Sequence, residues 1–236
     1  MNIVIQQPGC LGDILFIQKL LYVLSEEHRV YHPIFPIFWQ SGVDQLINPS
    51  IFGPNISIPQ DYSVYNCSDH IKNHPNDIMT SKYDGINIDW KDWSSYIKYE
   101  RNHERENYIR NLLGIVPGEP FILTNSYYGM NKTMNGLDGQ LPKDYDGKIV
   151  EMNPNIPGSK IFDWCWIFEN AEEIHTVDTS ILYVIETLNT LASKLIVHPR
   201  HYIHTEQCLK KLFSKNWHWV KYEKDEWKKV FPMEAS

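Results

Sequence analysis

Cysteine is scarce and scattered in this chain. Cys10, Cys67, Cys165 and Cys208 are the only four, and no two of them form a C-x-x-C pair. Neither a zinc knuckle nor the disulfide framework of a small secreted domain is therefore indicated. Basic charge is also short: 22 Lys and Arg stand against 29 Asp and Glu, a formal net charge of -7. That balance argues against an extended electrostatic footprint for duplex nucleic acid, although it leaves room for a local basic groove. No run reaches the ~20 apolar residues of a membrane span. The first strand is expected to begin at Asn2, which leaves no basic n-region, apolar h-region or cleavage site ahead of it. No internal repeat of fixed short period is visible. These absences lead us to expect a soluble, cytoplasmic protein with a small or polar partner.

What is present is ample apolar material. The 236 residues are 42% hydrophobic and 13% aromatic, enough for one large α/β domain or two small ones. Ile3-Val4-Ile5 reads as a strand, Gln6 to Asp13 as a glycine-bearing loop, and Ile14, Ile17, Leu20, Leu21 and Leu24 as one helical stripe. A second strand is expected over 30–38, with Pro33 and Pro36 placing it at an edge or ending it early. Together these make a βαβ unit whose loop lies at the carboxyl end of the sheet, where ligands of open α/β sheets bind. Gly9 and Gly12 do not complete G-x-G-x-x-G, so a dinucleotide cofactor is not indicated. Between 41 and 92 the signals are short and mixed: 43–47 reads as helical, and 56–58 and 85–88 as strands, with no order among them.

The spacing predicts a charged surface helix over 96–113, with Tyr108, Ile109, Leu112 and Leu113 inward and Gly114 as its C-cap. Val116-Pro117-Gly118-Glu119-Pro120 is the best linker, and the domain boundary is placed there, giving 1–117 and 118–236. Strands follow over 121–123 and 149–152. The glycine- and asparagine-rich stretch 124–148 between them is a candidate ligand-covering loop. A helix over 161–170, a strand over 195–198, a Thr205-capped helix to 213, a strand over 217–222 and a terminal helix over 225–231 complete the reading.

The densest signal is Glu173-Ile174-His175-Thr176-Val177-Asp178-Thr179-Ser180, a short buried strand that runs directly into apolar residues at 181, 184, 185 and 188, one helix face. Asp178, Thr179 and Ser180 are helix-capping types at the junction, where first-turn amides and the helix dipole favour an anion by about 0.3–1 kcal/mol for the dipole alone. Any strand-to-helix junction of an α/β protein shares this appearance.

Gly9-x-x-Gly12-Asp13-Ile14-Leu15 after an amino-terminal strand resembles the opening of heptosyltransferase-type glycosyltransferases of the GT-B fold. Val177-Asp178-Thr179-Ser180 is similar to their second-half Asp-Thr-Gly signature. The resemblance implies an α/β protein of two small Rossmann-like domains facing across a cleft, with 1–117 on the acceptor side and 118–236 binding a nucleotide sugar. It implies metal-independent sugar transfer from a nucleoside diphosphate to a hydroxyl, as on a glycan. The nucleotide sugar is then a co-substrate, and no cofactor is expected. Asp13 matches the family's general base, although it suits a helix N-cap equally well. Gly12, Asn125, Ser126, Lys132, Asp178, Thr179 and Ser180 are assigned to the donor, with Lys132 stabilising the leaving diphosphate. Ser180 and Tyr183 stand where the family often has glycine and histidine, which leaves donor identity open.

Other features rank below these. Asp144-Tyr145-Asp146 matches a metal-binding D-x-D but follows Leu141-Pro142-Lys143 instead of an apolar strand, so it reads as a solvated turn. His198, His201 and His204 have loop spacing and no completing carboxylate motif, although His198 at a strand end is within the range of positions that touch a ligand. Trp164 and Trp166 read as core. Two alternatives remain: a nucleotide-sugar epimerase, which needs no acceptor, and a non-catalytic nucleotide-sugar or glycan-binding module, since the chain is short for two full Rossmann domains.

Overall fold

The computed structural model describes residues 1–7, 9–69, 77–129, 131–132, 134, 141–142, 144–200 and 204–231, with 204, 205 and 207 described by backbone alone. The chain divides into two compact units, Met1–Arg101 and Asn102–Ser236.

The first unit is a parallel sheet of β1 (Asn2–Gln6), β2 (Arg29–Pro33), β3 (Ile51–Gly53) and β4 (Ser63–Asn66), ordered β3-β2-β1-β4. Ile3, Val4 and Ile5 place β1 in the interior because β-branched side chains fit a strand buried on both faces. The single expected helical stripe is two helices, α1 (Leu11–Phe16) and α2 (Gln18–Glu27), joined at Ile17, whose ψ is 6°. Gln18 sits at the break, and its side-chain amide donates to the Ile14 carbonyl at 2.7 Å. Strand β2 ends at Pro33, and Pro36 opens the short helix α3 (Pro36–Gln40), where its missing N–H is harmless. β2 is an inner strand, not an edge: β1 and β3 flank it. The strands expected over 56–58 and 85–88 do not form. Gly85 and Ile86 instead close a 3-10 segment, Thr80–Ile86, and 43–47 holds one 3-10 turn, Val43–Gln45.

The second unit is a five-stranded parallel sheet of β5 (Phe121–Asn125), β8 (Lys148–Glu151), β9 (Glu173–Val177), β10 (Lys194–His198) and β11 (Trp217–Trp219), ordered β11-β10-β9-β5-β8. β6 (Tyr127–Tyr128) and β7 (Asn131–Lys132) form a small antiparallel hairpin. The helices are α4 (His103–Leu112), α5 (Cys165–Asn170), α6 (Ile181–Thr187), α7 (His204–Leu209) and α8 (Lys224–Val230). Every residue of β5 and β9 is buried, including the polar ones. Met134, Val177, Trp227 and Phe231 form a cluster that holds α8 against the unit, each such side chain contributing roughly 1.5–3 kcal/mol.

The division falls ahead of α4, whereas the 116–120 linker placed the boundary after it. Arg105 faces the buried Asp163 carboxylate at 3.7 Å, and Lys148 Nζ donates to the Leu113 and Gly114 carbonyls at 2.5 and 2.7 Å. These contacts tie α4 to the second unit. Gly114 ends the helix at φ +62°, as expected of a C-cap. The inward face is narrower than predicted: Ile109 and Glu106 are buried, while Tyr108 and Leu112 are exposed.

Both sheets reverse direction once. From β1 the first unit winds outward to β2 and β3, then returns to β1's other side with β4. The second unit places β8 on one side of β5 and β9, β10 and β11 on the other. Such reversals leave a crevice beyond the carboxyl ends of the two strands involved, and open α/β sheets bind ligands there. The crevices lie at β1/β4 and at β5/β9.

Candidate active site

At the first crevice, Gly9 leads from β1 to Cys10, the N-cap of α1, and Asp13 stands three residues into that turn. The Cys10 N–H donates to Asp13 Oδ2 at 2.8 Å, so Asp13 is not the N-cap itself but the acid that caps from the third helical position. It is also more than a cap, because Asp13 Oδ1 is ion-paired with Lys82 Nζ. The Lys82 side chain is 2% exposed and that of Asp13 is 22% exposed, so solvent reaches the carboxylate but not the ammonium. Gly9 is required by close approach: a Cβ there would collide with the Asp13 carboxylate and lie 2.5 Å from the Gln7 amide nitrogen. Gln7 is itself buried, and its Oε1 has no hydrogen-bond partner among the described residues.

Lys82 is held by its neighbours. The Tyr65 hydroxyl donates to the Lys82 carbonyl at 2.7 Å, and the Tyr83 hydroxyl donates to the Phe16 carbonyl at 2.5 Å. The Tyr83 ring meets Phe16 edge-on at 5.3 Å. Burial pushes the Tyr65 hydroxyl up to about 12 and Tyr83 well above its ordinary value, so both remain donors at neutral pH. Burial likewise pushes the Cys67 thiol up to about 12, which makes it a packing group and not a nucleophile. Sequence reasoning missed Lys82. Its only signal was a cation beside Tyr83 inside a stretch with no readable periodicity.

At the second crevice, Asn125 ends β5 and Ser126 follows it, and Asp178, Thr179 and Ser180 follow β9. The Asn125 amide is committed internally: Nδ2 donates to Thr176 Oγ1 at 3.0 Å, and Oδ1 accepts from the Tyr127 N–H at 3.2 Å. Ser126 is buried beside it, and its carbonyl accepts from the Met134 N–H at 3.3 Å. Asp178 is buried too, with Oδ1 accepting from the Arg200 N–H at 2.6 Å, while Arg200 Nε donates to the Asp178 carbonyl at 3.2 Å. The Arg200 guanidinium lies 3.6 Å from the centre of the Tyr128 ring. Arg200 was also missed by sequence reasoning; its signal was a charged residue two positions past the buried end of β10.

The first-turn amides of α6, expected to favour an anion, are occupied. Ile181 N–H donates to Thr179 Oγ1 at 3.3 Å, and the Leu182, Tyr183 and Val184 N–H groups donate to the Thr179 and Ser180 carbonyls. A capped turn satisfies its own donors. Thr179 and Ser180 are partly exposed, and the Ser180 side chain makes no capping bond. Tyr183 packs on Phe213 at 5.2 Å. Lys132 Nζ, on β7, is paired at 2.7 Å with Oε1 of Glu151, the last residue of β8.

The structure thus gathers Asn125, Ser126, Asp178, Thr179 and Ser180 at the β5/β9 crevice with Lys132 on the adjoining hairpin, while Gly12 and Asp13 belong to the first unit. His201 and most of the 130–143 stretch lie outside the described residues. His198 is a core group: its Nδ1 is 2.6 Å from the Tyr222 hydroxyl, its ring stacks on His175, and burial pushes it down to about 3. Asp144 and Asp146 are exposed in a turn. Among the described residues no three His, Cys, Asp or Glu side chains gather as a metal ion requires, and no helix is long and apolar enough to cross a membrane. A hollow of about 440 Å³ lies at the opposite, amino-terminal edge of the first sheet. Glu26, Glu27, His28 and Arg29 line it, at the end of the sheet away from the strand-order reversal.

A doubly wound α/β protein of two units, each with polar groups at its strand-order reversal, is what fold and site define. No family model and no curated protein matches the chain by sequence. Solved structures do match in fold. A glycosyl transferase family 9 structure from Veillonella parvula DSM 2008 is similar over 97% of this chain and 89% of its own, with a TM-score of 0.56 at 10% identity. The E. coli ADP-heptose LPS heptosyltransferase II is similar over 100% and 96%, with a TM-score of 0.51 at 9% identity. The iron-containing dodecameric glycosyltransferase TibC of enterotoxigenic E. coli H10407 is similar over 94% and 62%, with a TM-score of 0.58 at 10% identity. The expected fold class, paired Rossmann-like α/β domains as in GT-B heptosyltransferases, is therefore the fold of this chain.

Proposed function

We propose that this protein is a glycosyltransferase that moves a sugar from a nucleoside diphosphate to an acceptor hydroxyl, as on a glycan, without a metal. The observation that carries the reading is the position of Asp13: a partly exposed carboxylate at the strand-order reversal of the first unit, in a fold shared nearly end to end with glycosyltransferases. In the proposed step the acceptor hydroxyl gives its proton to Asp13 as its oxygen bonds the anomeric carbon. The bond from that carbon to the diphosphate oxygen breaks, and the nucleoside diphosphate leaves with the electron pair.

Thr179 and Ser180 are the donor-facing hydroxyls, and Lys132 is the cation for the leaving group. The exposed Lys132–Glu151 pair is worth only about 0–1 kcal/mol, so a diphosphate displaces Glu151 readily. Asn125, Ser126 and Asp178 shape the crevice from within, and Gly12, beside Asp13, is assigned to the donor by the resemblance alone. We place the reaction in the cytoplasm, where scattered cysteines such as these stay reduced. An epimerase would show turnover with no acceptor, and a binding module would show none.

The test is a thermal-shift screen against UDP-, GDP-, ADP-, CMP- and dTDP-sugars, followed by turnover of Asp13→Ala. A ligand of the native state raises the melting temperature by mass action. Asp13→Ala is expected to lower kcat by at least about 100-fold, the lower range for general-base catalysis, with the donor's thermal shift retained. Wild-type turnover in Asp13→Ala removes Asp13 from the mechanism.

A further inference from the structure

We infer that Lys82 is the positioning residue of the proposed reaction: it fixes the carboxylate of Asp13 and supplies its counter-charge. The inference rests on the general-base reading of Asp13. Three observations lead to it. A lysine side chain 2% exposed is rare, because a buried ammonium needs a partner, and Asp13 is the partner it is given. The lysine is also aimed: the Tyr65 hydroxyl grips its carbonyl, and the next residue, Tyr83, is anchored on Phe16 at the end of α1. α1 also carries Asp13, so base and lysine are referenced to one helix. Finally, the surroundings are built for a ligand and not only for a helix end. Gln7 presents a buried carbonyl oxygen without a partner among the described residues, and Gly9 leaves no side chain between the Gln7 amide and the Asp13 carboxylate.

A capping aspartate alone would need only the Cys10 N–H and no buried cation behind it. With Oδ2 on the Cys10 N–H and Oδ1 on Lys82, both oxygens are fixed. The lone pairs that remain are those on the exposed side of the carboxylate, where an acceptor hydroxyl arrives. A base held in one orientation reaches the near-attack geometry more often, which raises kcat without changing donor affinity.

The experiment compares wild type, Lys82→Met, Lys82→Arg and Asp13→Asn for release of nucleoside diphosphate from UDP-glucose, GDP-mannose, ADP-glucose and dTDP-glucose, with a simple alcohol or water as acceptor. Lys82→Met keeps an unbranched side chain, one atom shorter, and removes its charge. Its kcat is expected to fall 10- to 100-fold with donor KM within about twofold. Lys82→Arg is expected to recover at least a fifth of the wild-type kcat. In the Asp13→Asn background, Lys82→Met should cost nothing further, since it acts through Asp13. A purely structural lysine gives a different pattern: Lys82→Met raises KM and lowers the melting temperature, and Lys82→Arg rescues neither. That pattern overturns the inference, as does a Lys82→Met kcat within twofold of wild type while Asp13→Asn is inactive. The last outcome leaves the general-base reading standing. Asp13→Asn at the wild-type rate, or no release from any of the four probes by wild type, overturns both.

Discussion

A histidine buried without charge makes stability depend on pH, and this chain has such a residue in each unit. Burial holds His198 and His32 down to about 3, against about 6.5 in an unfolded chain. The sign follows from linkage: below pH 6.5 the unfolded chain takes up a proton that the native imidazole refuses. Stability is therefore complete above 6.5 and is lost as pH falls towards 3, by up to about 1.4 kcal/mol per pH unit for each group. His198→Phe, which keeps a ring opposite His175, is expected to flatten that slope by one proton between pH 6.5 and 5, above the range where carboxylates dominate. Urea unfolding followed by tryptophan fluorescence at several pH values measures it, and equal slopes for variant and wild type would rule out a neutral His198. The sequence made some of these residues legible and not others. Asp13 stood out because strand, glycines and acid lie within a few positions. Asp178 stood out because a buried strand meets three helix-capping residues there, but its partner, the Arg200 N–H, is 22 residues away, so its role as a loop clamp was not readable. Lys82 is 69 residues from Asp13, and no local pattern reports a contact over that distance.

Elements were legible in proportion to their length and periodicity. β9 and α6 follow the predicted strand-to-helix junction because five buried strand residues and a one-sided apolar stripe leave few alternatives. β3, with three residues, and β4, with four, lie below any useful window, and both faces of β4 are partly exposed. The break at Ile17 was hidden because an apolar stripe continues through it and only the backbone changes course. Contacts made by an element's outer groups are equally silent in sequence, and Glu186 on α6 is the clearest case. It is buried, and Oε1 accepts from the Ser214 N–H at 2.6 Å, the Ser214 hydroxyl at 2.5 Å and the Lys215 N–H at 3.2 Å. This one carboxylate fixes the turn that leads into β11. Glu186→Ala is expected to destabilise the protein by about 2 kcal/mol, since it removes a charged acceptor shared by three part-buried hydrogen bonds, with Glu186→Gln about half as costly. Chemical denaturation measures both, and a loss below about 1 kcal/mol in Glu186→Ala would mean that the turn is held by other contacts.

At the scale of the molecule, where the chain divides decides which part can stand alone. Composition favours a cut in the Pro-Gly linker at 116–120, because proline and glycine mark exposed connections. Packing places it ahead of α4. The helix buries Ile109 completely, sets Arg105 on the buried Asp163 carboxylate, and ends under the ammonium of Lys148, which begins β8. The Arg110 guanidinium also lies over the Trp166 ring, 5.1 Å from its centre. A fragment of residues 102–236 retains all of these contacts. A fragment of residues 118–236 uncovers the apolar surface against which Ile109 packs, leaves Asp163 without its guanidinium, and removes both carbonyls that Lys148 holds. A buried leucine-sized deletion alone costs about 2–5 kcal/mol, comparable to a small domain's whole stability. The longer fragment is therefore expected to melt cooperatively by circular dichroism, and the shorter one to show no cooperative transition or to aggregate. A shorter fragment that melts as sharply and as high as the longer one would return α4 to the first unit and restore the linker as the true boundary.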